Sequence, residues 1–479
     1  MILVVDVGTS SVRAVVVDRD ARVIAEHRTP LLPSSPAPGL VEFDAAKMAS
    51  AALDVARAAL DEVGAVAAVG VANQRGSAVV WDRTTGAAVG PGIGWQDLRT
   101  VVRCLELAPA GVRLGPNHAA TKFEVLLDGA DEERSRDLCV GTVDAWIAWT
   151  LTGGAVHVTD GSNAPITGLR TAANDAWDQT ALDALRIPER ALPTVVDSSG
   201  EVATATALPS APPITGLLGD QQASLLGQGC VRPGDAKITF GTGGMLDVVL
   251  GPDRPAFELR GGSGTFPIVT RRVGGVDTWG LEAVMLSAGT NVEWLRDDLG
   301  LVASAEETDA VAAECTETGD VWFVPALLGL GTPQWDFGAR GTLIGLTRGT
   351  ERAHVVRAVL EGVAHRGADL VDAAQADSGH EIAVVRIDGG MAANTTFVQA
   401  LADSTQRPVE VAPVREATAL GAAFAAGPAI GWWADDDDIA STWQPGARVE
   451  PRQALDRDRW REAVARAAKW QPDLSAIEF

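Results

Sequence analysis

The sequence predicts an α/β protein built from two related halves. Strand, helix and strand signals alternate from the N-terminus, and a strand, glycine turn and strand near the start recur near mid-chain. Ile2 to Val5 is a β-branched run, Gly8 to Ser11 a turn, and Ala14 to Val17 a second run. A helix is expected from about Asp44 to Val63 with Asp44 as N-cap, and a buried strand over Ala65 to Val71. Lys237 to Phe240, Gly241 to Gly244 and Leu246 to Leu250 then repeat the opening pattern, and both turns carry Gly-Thr (Gly8 and Thr9, Gly241 and Thr242). The expected domains are 1–228 and 229–479. Pro212 and Pro213, and Pro233 and Gly234, punctuate the chain on either side of that boundary.

The length of 479 residues suits two or three domains rather than one core. A charged fraction of 21% against 46% hydrophobic residues is that of a globular chain. The formal net charge of -24 argues against nucleic acid or an anionic membrane as partner. Cys104, Cys139, Cys230 and Cys315 form no Cys-x-x-Cys pair, which suits a reducing compartment and a cytoplasmic protein. The uncharged run Ala417 to Ala434, broken by Pro428, reads as a buried helix and not a membrane span. Asp435 to Asp438 read as a solvated loop.

Two facing glycine-turned hairpins would clamp phosphate, because turn N–H groups point outward and glycine lets oxygens reach the main chain. Thr9, Ser10, Ser11 and Thr242 add hydroxyls, Asp6 suits hydrated Mg2+, and Arg13 suits charge on a transferring phosphoryl group. Taken alone, each hairpin reads more simply as an ordinary turn. Asp388, Gly389, Gly390 and the residues to Asn394 join an apolar strand to a helix start, a good nucleotide cradle or only a tight turn. Gly219, Asp220, Gln221 and Gln222 follow another apolar strand; Asp220 is a candidate general base or simply a helix N-cap. Arg75, after Asn73 and Gln74, and Trp95 would suit a polyhydroxy ligand, or be a surface Arg and a core Trp.

In this order the motifs resemble those of the FGGY carbohydrate kinases, most closely the glycerol kinase branch. The resemblance rests on Asp6 to Arg13, Gly219 to Ala223, Gly241 to Gly243, Gly341 to Leu346 continuing through His354 to Glu361, and Asp388 to Asn394. It implies two domains of the actin and hexokinase (ribonuclease H-like) type around a cleft. It further implies transfer of a phosphoryl group from ATP, with Mg2+, to a hydroxyl of a small polyol or sugar. By position, Asp220 would be the base. Gly8, Thr9, Ser10, Ser11 and Arg13 would meet the phosphates, and Gly241, Thr242, Gly289, Glu293, Gly389, Gly390 and Asn394 would line the nucleotide site. Arg75, Trp95, Asp220 and Gln221 would hold the acceptor. The resemblance also implies a homodimer or homotetramer.

Several positions depart from the glycerol kinase pattern. Gly76 replaces a carboxylate, Asn117 a tyrosine and Met245 an aromatic residue; Glu293 stands for a glutamine, and Lys122 to Val125 lack a usual tryptophan. Gly76 is expected to leave room for a longer polyol or a ketose and to make glycerol a secondary acceptor. The rival reading is a non-catalytic, actin-like nucleotide-binding scaffold. Such a protein needs neither Asp220 nor a polyol clamp, so the combination of Arg75, Trp95, Asp220 and Gln221 counts against it.

Overall fold

A computed structural model describes residues 1–413 and 416–477. The opening hairpin is β1 (Ile2–Val7) and β2 (Ser11–Val17), followed by β3 (Val23–Pro30), α1 (Ala45–Val63) and β4 (Ala68–Asn73). Asp44 caps α1 as expected, its side chain accepting from the Lys47 N–H. Later come β5 (Ser199–Thr204), β6 (Pro213–Gly219) and α2 (Asp220–Gly227). These strands form a six-stranded sheet in the order β5-β6-β4-β1-β2-β3, with β1, β4 and β6 mutually parallel.

The second sheet repeats the arrangement. It holds β7 (Ala236–Phe240), β8 (Gly244–Gly251), β9 (Phe266–Val273) and β10 (Val276–Met285). After α3 (Arg352–Ser378) come β11 (Val385–Asp388), α4 (Thr395–Thr405), β12 (Val409–Val411), α5 (Ala417–Ala426) and β13 (Ala447–Val449). The order is β9-β10-β8-β7-β11-β12-β13. In both sheets an antiparallel hairpin opens the unit, a third strand extends it antiparallel, and two parallel strands flank its first strand on the other side. The short Gly-Thr recurrence thus marks a duplicated topology.

β1 reads as one apolar run because both of its faces are covered. Leu3, Val5 and Val7 pack on the α1 side, while Ile2 and Val4 pack against α5. A helix from the second half of the chain therefore closes the back of the first sheet. Its approach is set by glycines: a Cβ at Gly227 would lie 1.8 Å from the Ala417 carbonyl oxygen, and one at Gly421 would lie 1.7 Å from that of Ala223. With backbones this close, α2 is fixed against α5, and so is Asp220 at the start of α2. α3, 27 residues long, buries one face against the second sheet.

Asp435 to Asp438 are not a loop: Asp435 caps a short helix, Asp436–Ser441, while Asp436 pairs with Arg271 and Asp437 with Arg232. Acidic side chains at a helix N-terminus are favoured there by the dipole. The four cysteines are free thiols. Among the described residues, no helix is long and apolar enough to cross a membrane.

Candidate active site

In an open α/β sheet, ligands gather beyond the carboxyl ends of parallel strands. Here Val7, Asn73 and Gly219, the last residues of β1, β4 and β6, lie in register. That alignment sets Gly8, Gln74 and Asp220 side by side at one edge. In the second sheet Thr239 pairs with Asp388, so Gly241 and Gly389 emerge together.

Asp220 is the first residue of α2, not its cap; Gly219 holds the cap position. Its Oδ1 accepts from the Gln221 N–H at 2.8 Å and lies 3.5 Å from Arg75 Nε. Burial pushes the Asp220 carboxyl above its ordinary range, Arg75 pulls it back, and Asp6 adds to the rise. Arg75 also donates from Nη2 to Glu282 at 2.5 Å, in β10 of the opposite half, and touches Met245 sulfur at 4.0 Å. Its Nη1 is buried without a partner. Glu282 is likewise pushed up, by burial first and Asp247 next, against the pull of Arg75. Sequence reasoning missed Glu282. The available signal was a lone carboxylate in the apolar strand Trp279 to Met285.

Trp95 Nε1 donates to Thr9 Oγ1 at 3.2 Å, and Gln74 Nε2 to the Gly8 carbonyl at 3.2 Å, so the first turn is joined to the Arg75 segment. Gln221 accepts from Lys237 Nζ at 2.5 Å. Arg75, Trp95, Asp220 and Gln221 are thereby linked to one another or to the turns around them.

Gly76 offers no spare room. Its φ is +70°, and a Cβ there would lie 2.3 Å from the Asn117 carbonyl oxygen and 3.6 Å from Trp95 Cβ. The expected gap is filled by the backbone of the 116–118 segment. Lys122 Nζ fastens that segment, donating to the carbonyls of Gly76 at 3.2 Å, Pro116 at 2.8 Å and His118 at 2.8 Å. Burial pushes Lys122 down to about 7, whereas three carbonyl acceptors favour its charged form. Burial and Lys122 together push His118 down to about 4.

The first turn closes with the Gly8 N–H on the Ser11 carbonyl at 3.0 Å, and leaves Ser10 exposed. Asp6 accepts from Arg13 Nη2 at 2.5 Å, and Arg13 also pairs with Glu416. Glu416, a further partner that sequence reasoning missed, lies 403 residues away. Among the described residues, no group of three or more His, Cys, Asp or Glu forms a ready metal cage. Asp6 accepts from Arg13 through Oδ2 alone, and a single carboxylate suits magnesium, which keeps several waters and takes phosphate oxygens as ligands.

The second turn is tied to the segment that follows β10. The Ala288 N–H donates to the Thr242 carbonyl and the Gly289 N–H to that of Gly241, both at 2.9 Å. Thr242 and Glu293 are exposed. Gly389, at φ +91°, lies over the Phe240 backbone, where a Cβ would approach to 2.3 Å, while Gly390 faces open space. Asn394 caps α4 through Oδ1 and donates from Nδ2 to Thr308, so both ends of its amide are used locally. Asp388 Oδ2 accepts from Ser224 of α2 at 2.8 Å, linking the cradle to the helix that carries Asp220. A separate groove of about 760 Å³, lined by Arg357, Glu361, Gln399 and Arg448, lies on the outer side of α4. Two of its arginines are already paired, Arg357 with Glu361 and Arg448 with Glu410.

Comparison with known proteins bears on this geometry. The N-terminal domain of the FGGY family of carbohydrate kinases matches residues 1–227, and the C-terminal domain matches residues 236–430. A glycerol kinase of Aromatoleum aromaticum is 42% identical over 494 residues, covering 98% of this chain and 99% of its own. Glycerol kinase 2 of Thermotoga maritima is 39% identical over 495 residues, covering 98% and 99%. Among solved structures, Plasmodium falciparum glycerol kinase with ADP superposes with a TM-score of 0.90 at 26% identity, covering 100% of this chain and 99% of that one. A xylulose kinase of Rhodospirillum rubrum shares the fold, with a TM-score of 0.85 at 24% identity and coverage of 98% and 99%. The chain belongs to the FGGY family of carbohydrate kinases and is an ATP-dependent kinase of a carbohydrate or polyol hydroxyl.

Proposed function

We propose that the acceptor is a small neutral polyol of glycerol's size, that Asp220 is the general base, and that the two glycine turns hold the nucleotide phosphates. The observation that carries this is the Asp220 carboxylate 3.5 Å from the Arg75 guanidinium, beside the aligned ends of three parallel strands. A carboxylate that only accepts beside a guanidinium that only donates suits a hydroxyl, which does both. Arg75 Nη1, buried and unpartnered, is a donor in want of an acceptor oxygen. The filled position at Gly76 favours a short acceptor over a ketose, a reading in keeping with the relatives named glycerol kinase.

In this reading Asp220 draws the proton from the acceptor hydroxyl as that oxygen attacks the γ-phosphoryl group of ATP. Gln221 and Arg75 orient the acceptor, and Trp95 covers its carbon chain. With the Gly8 N–H spent on closing the turn, Thr9 to Ser11 and Gly241 to Thr242 offer N–H groups to the phosphates, and Gly389, Gly390 and Asn394 shape the adenosine end with Gly289 and Glu293 beside it. Magnesium would be held by Asp6 and would screen phosphate charge; Arg13 orients that carboxylate. The proposed division falls near residue 228, in a cytoplasmic enzyme. ADP release measured over a panel of glycerol, longer polyols, ketoses and sugar acids tests the reading. The highest specificity constant is expected for glycerol or an equally short polyol; a preference for a ketose would overturn the assignment of the acceptor.

A further inference from the structure

One row of side chains crosses the whole second sheet. Register places Phe266, Glu282, Asp247, Lys237, Arg386, Glu410 and Arg448 abreast on β9, β10, β8, β7, β11, β12 and β13. Residues directly opposite one another share a face, so six charged groups line the same side of the sheet. Arg386, Glu410 and Arg448 close among themselves, with Glu410 4 Å or less from both arginines. Glu282 is taken by Arg75. The middle pair, Lys237 and Asp247, is fully buried, each side chain at 0% exposure.

A buried ion pair is expensive, and replacing one with apolar residues is often neutral or stabilising. Stability alone is therefore a weak account of Lys237 and Asp247. Lys237 Nζ lies 2.8 Å from Asp247 Oδ2, a contact too bent to be a hydrogen bond, and neither Asp247 oxygen has an aligned donor. The ammonium donates instead to Gln221 Oε1 at 2.5 Å and Thr239 Oγ1 at 2.9 Å. An ammonium can only donate, so only the oxygen end of the Gln221 amide can face it. The Nε2 end then points away, and Gln221 itself is half-buried rather than enclosed.

The geometry points to Lys237 and Asp247 as positioning residues that fix the Gln221 amide, so that its Nε2 is presented to the acceptor as a donor beside the acceptor-only carboxylate of Asp220. Asp247, 2.8 Å away, holds Lys237 in place, and Lys237 sets the amide. This deepens, and rests on, the reading of Gln221 as an acceptor contact. An acceptor hydroxyl would receive a hydrogen bond from Gln221 while giving its proton to Asp220. The same amide would reject a ligand group that can only donate, such as an ammonium.

Steady-state kinetics of the full chain test this through a mutant cycle. The paired change Lys237→Met with Asp247→Leu removes both charges together, so that no lone buried charge is left. It is expected to raise KM for the acceptor by roughly tenfold, with KM for ATP unchanged. In a Gln221→Ala background the same paired change is expected to add nothing, because residues acting through one another are not additive. An equal rise in both backgrounds would overturn the inference. Gln221→Glu reads the amide orientation without touching the buried pair. It keeps an oxygen toward Lys237 and replaces the Nε2 donor, so acceptor KM is expected to rise by roughly 10 to 150-fold. An unchanged or lower KM would mean that an oxygen serves the acceptor, and would overturn the inference. A wild-type enzyme that releases no ADP with any polyol or sugar would overturn the acceptor-site reading as well; additive behaviour in an active enzyme overturns only the positioning role.

Discussion

Around Asp220 the cleft is lined by the half-buried charges of Arg75 and Glu282 and backed by the fully buried Lys237 and Asp247, each held by a partner from another strand or from the other half. Around Gly241, Gly289 and Gly390 it is lined by backbone, with Thr242 and Glu293 exposed and open space over Gly390. The contrast follows from what each side is proposed to bind. A small neutral polyol has only hydroxyls to recognise, and fixed donors and acceptors discriminate among these strongly. A nucleotide brings its own charge, and main-chain N–H groups beside glycine suffice for its phosphates.

The sharpest way to break the comparison is Asp220→Asn. We expect kcat to fall by ~10²–10⁴-fold with nucleotide affinity nearly unchanged. A variant keeping a third of wild-type turnover would remove Asp220 from the base role. Next in size is Arg75→Met, which strands Glu282 and Asp220 without their counter-charge. Breaking a buried pair in this way costs about 3–5 kcal/mol, read as a lower denaturation midpoint. Gly390→Ala, on the other side of the cleft, should change stability by less than about 0.5 kcal/mol while raising KM for ATP. Equal destabilisation by the two variants would erase the distinction between the two sides of the cleft.

Gly76→Ala is expected to cost about 1–3 kcal/mol, since a side chain at φ +70° is strained and the Asn117 carbonyl blocks it. Gly76→Glu should for the same reason fail to improve glycerol as a substrate. The smallest effect concerns pH. The base must be ionised, and burial holds Asp220 above the ordinary 3.8. Activity should therefore fall on acidification at a higher pH than for an ordinary aspartate. Arg75 lowers that pKa, so Arg75→Met should move the acid limb of kcat/KM upward; a limb that stays still would mean another group titrates.

Much of the fold was legible locally. The hairpins, the Asp44 cap of α1 and the buried strand before Arg75 follow from β-branched runs, a capping residue and turn chemistry, all of which act within a few residues. The Asp435 to Asp438 run was misread because its ion-pair partners, Arg271 and Arg232, are distant in sequence. The role of Gly76 was misread for a similar reason. Its missing side chain looks like space on paper, but the Asn117 carbonyl fills that space, 41 positions further along the chain.

By itself the sequence determined the α/β class, the duplicated Gly-Thr hairpins and the candidates Asp6, Arg13, Arg75, Asp220 and Gly390, because short motifs carry backbone and chemical requirements that stay local. Only the tertiary structure decided that α5 backs the first sheet, that Glu282 meets Arg75 and that Lys237 meets Gln221. Those contacts join residues from separate strands and opposite halves. Sheet register and the glycine-to-backbone approach of α2 to α5 set them, and both depend on packing between segments that no local pattern records.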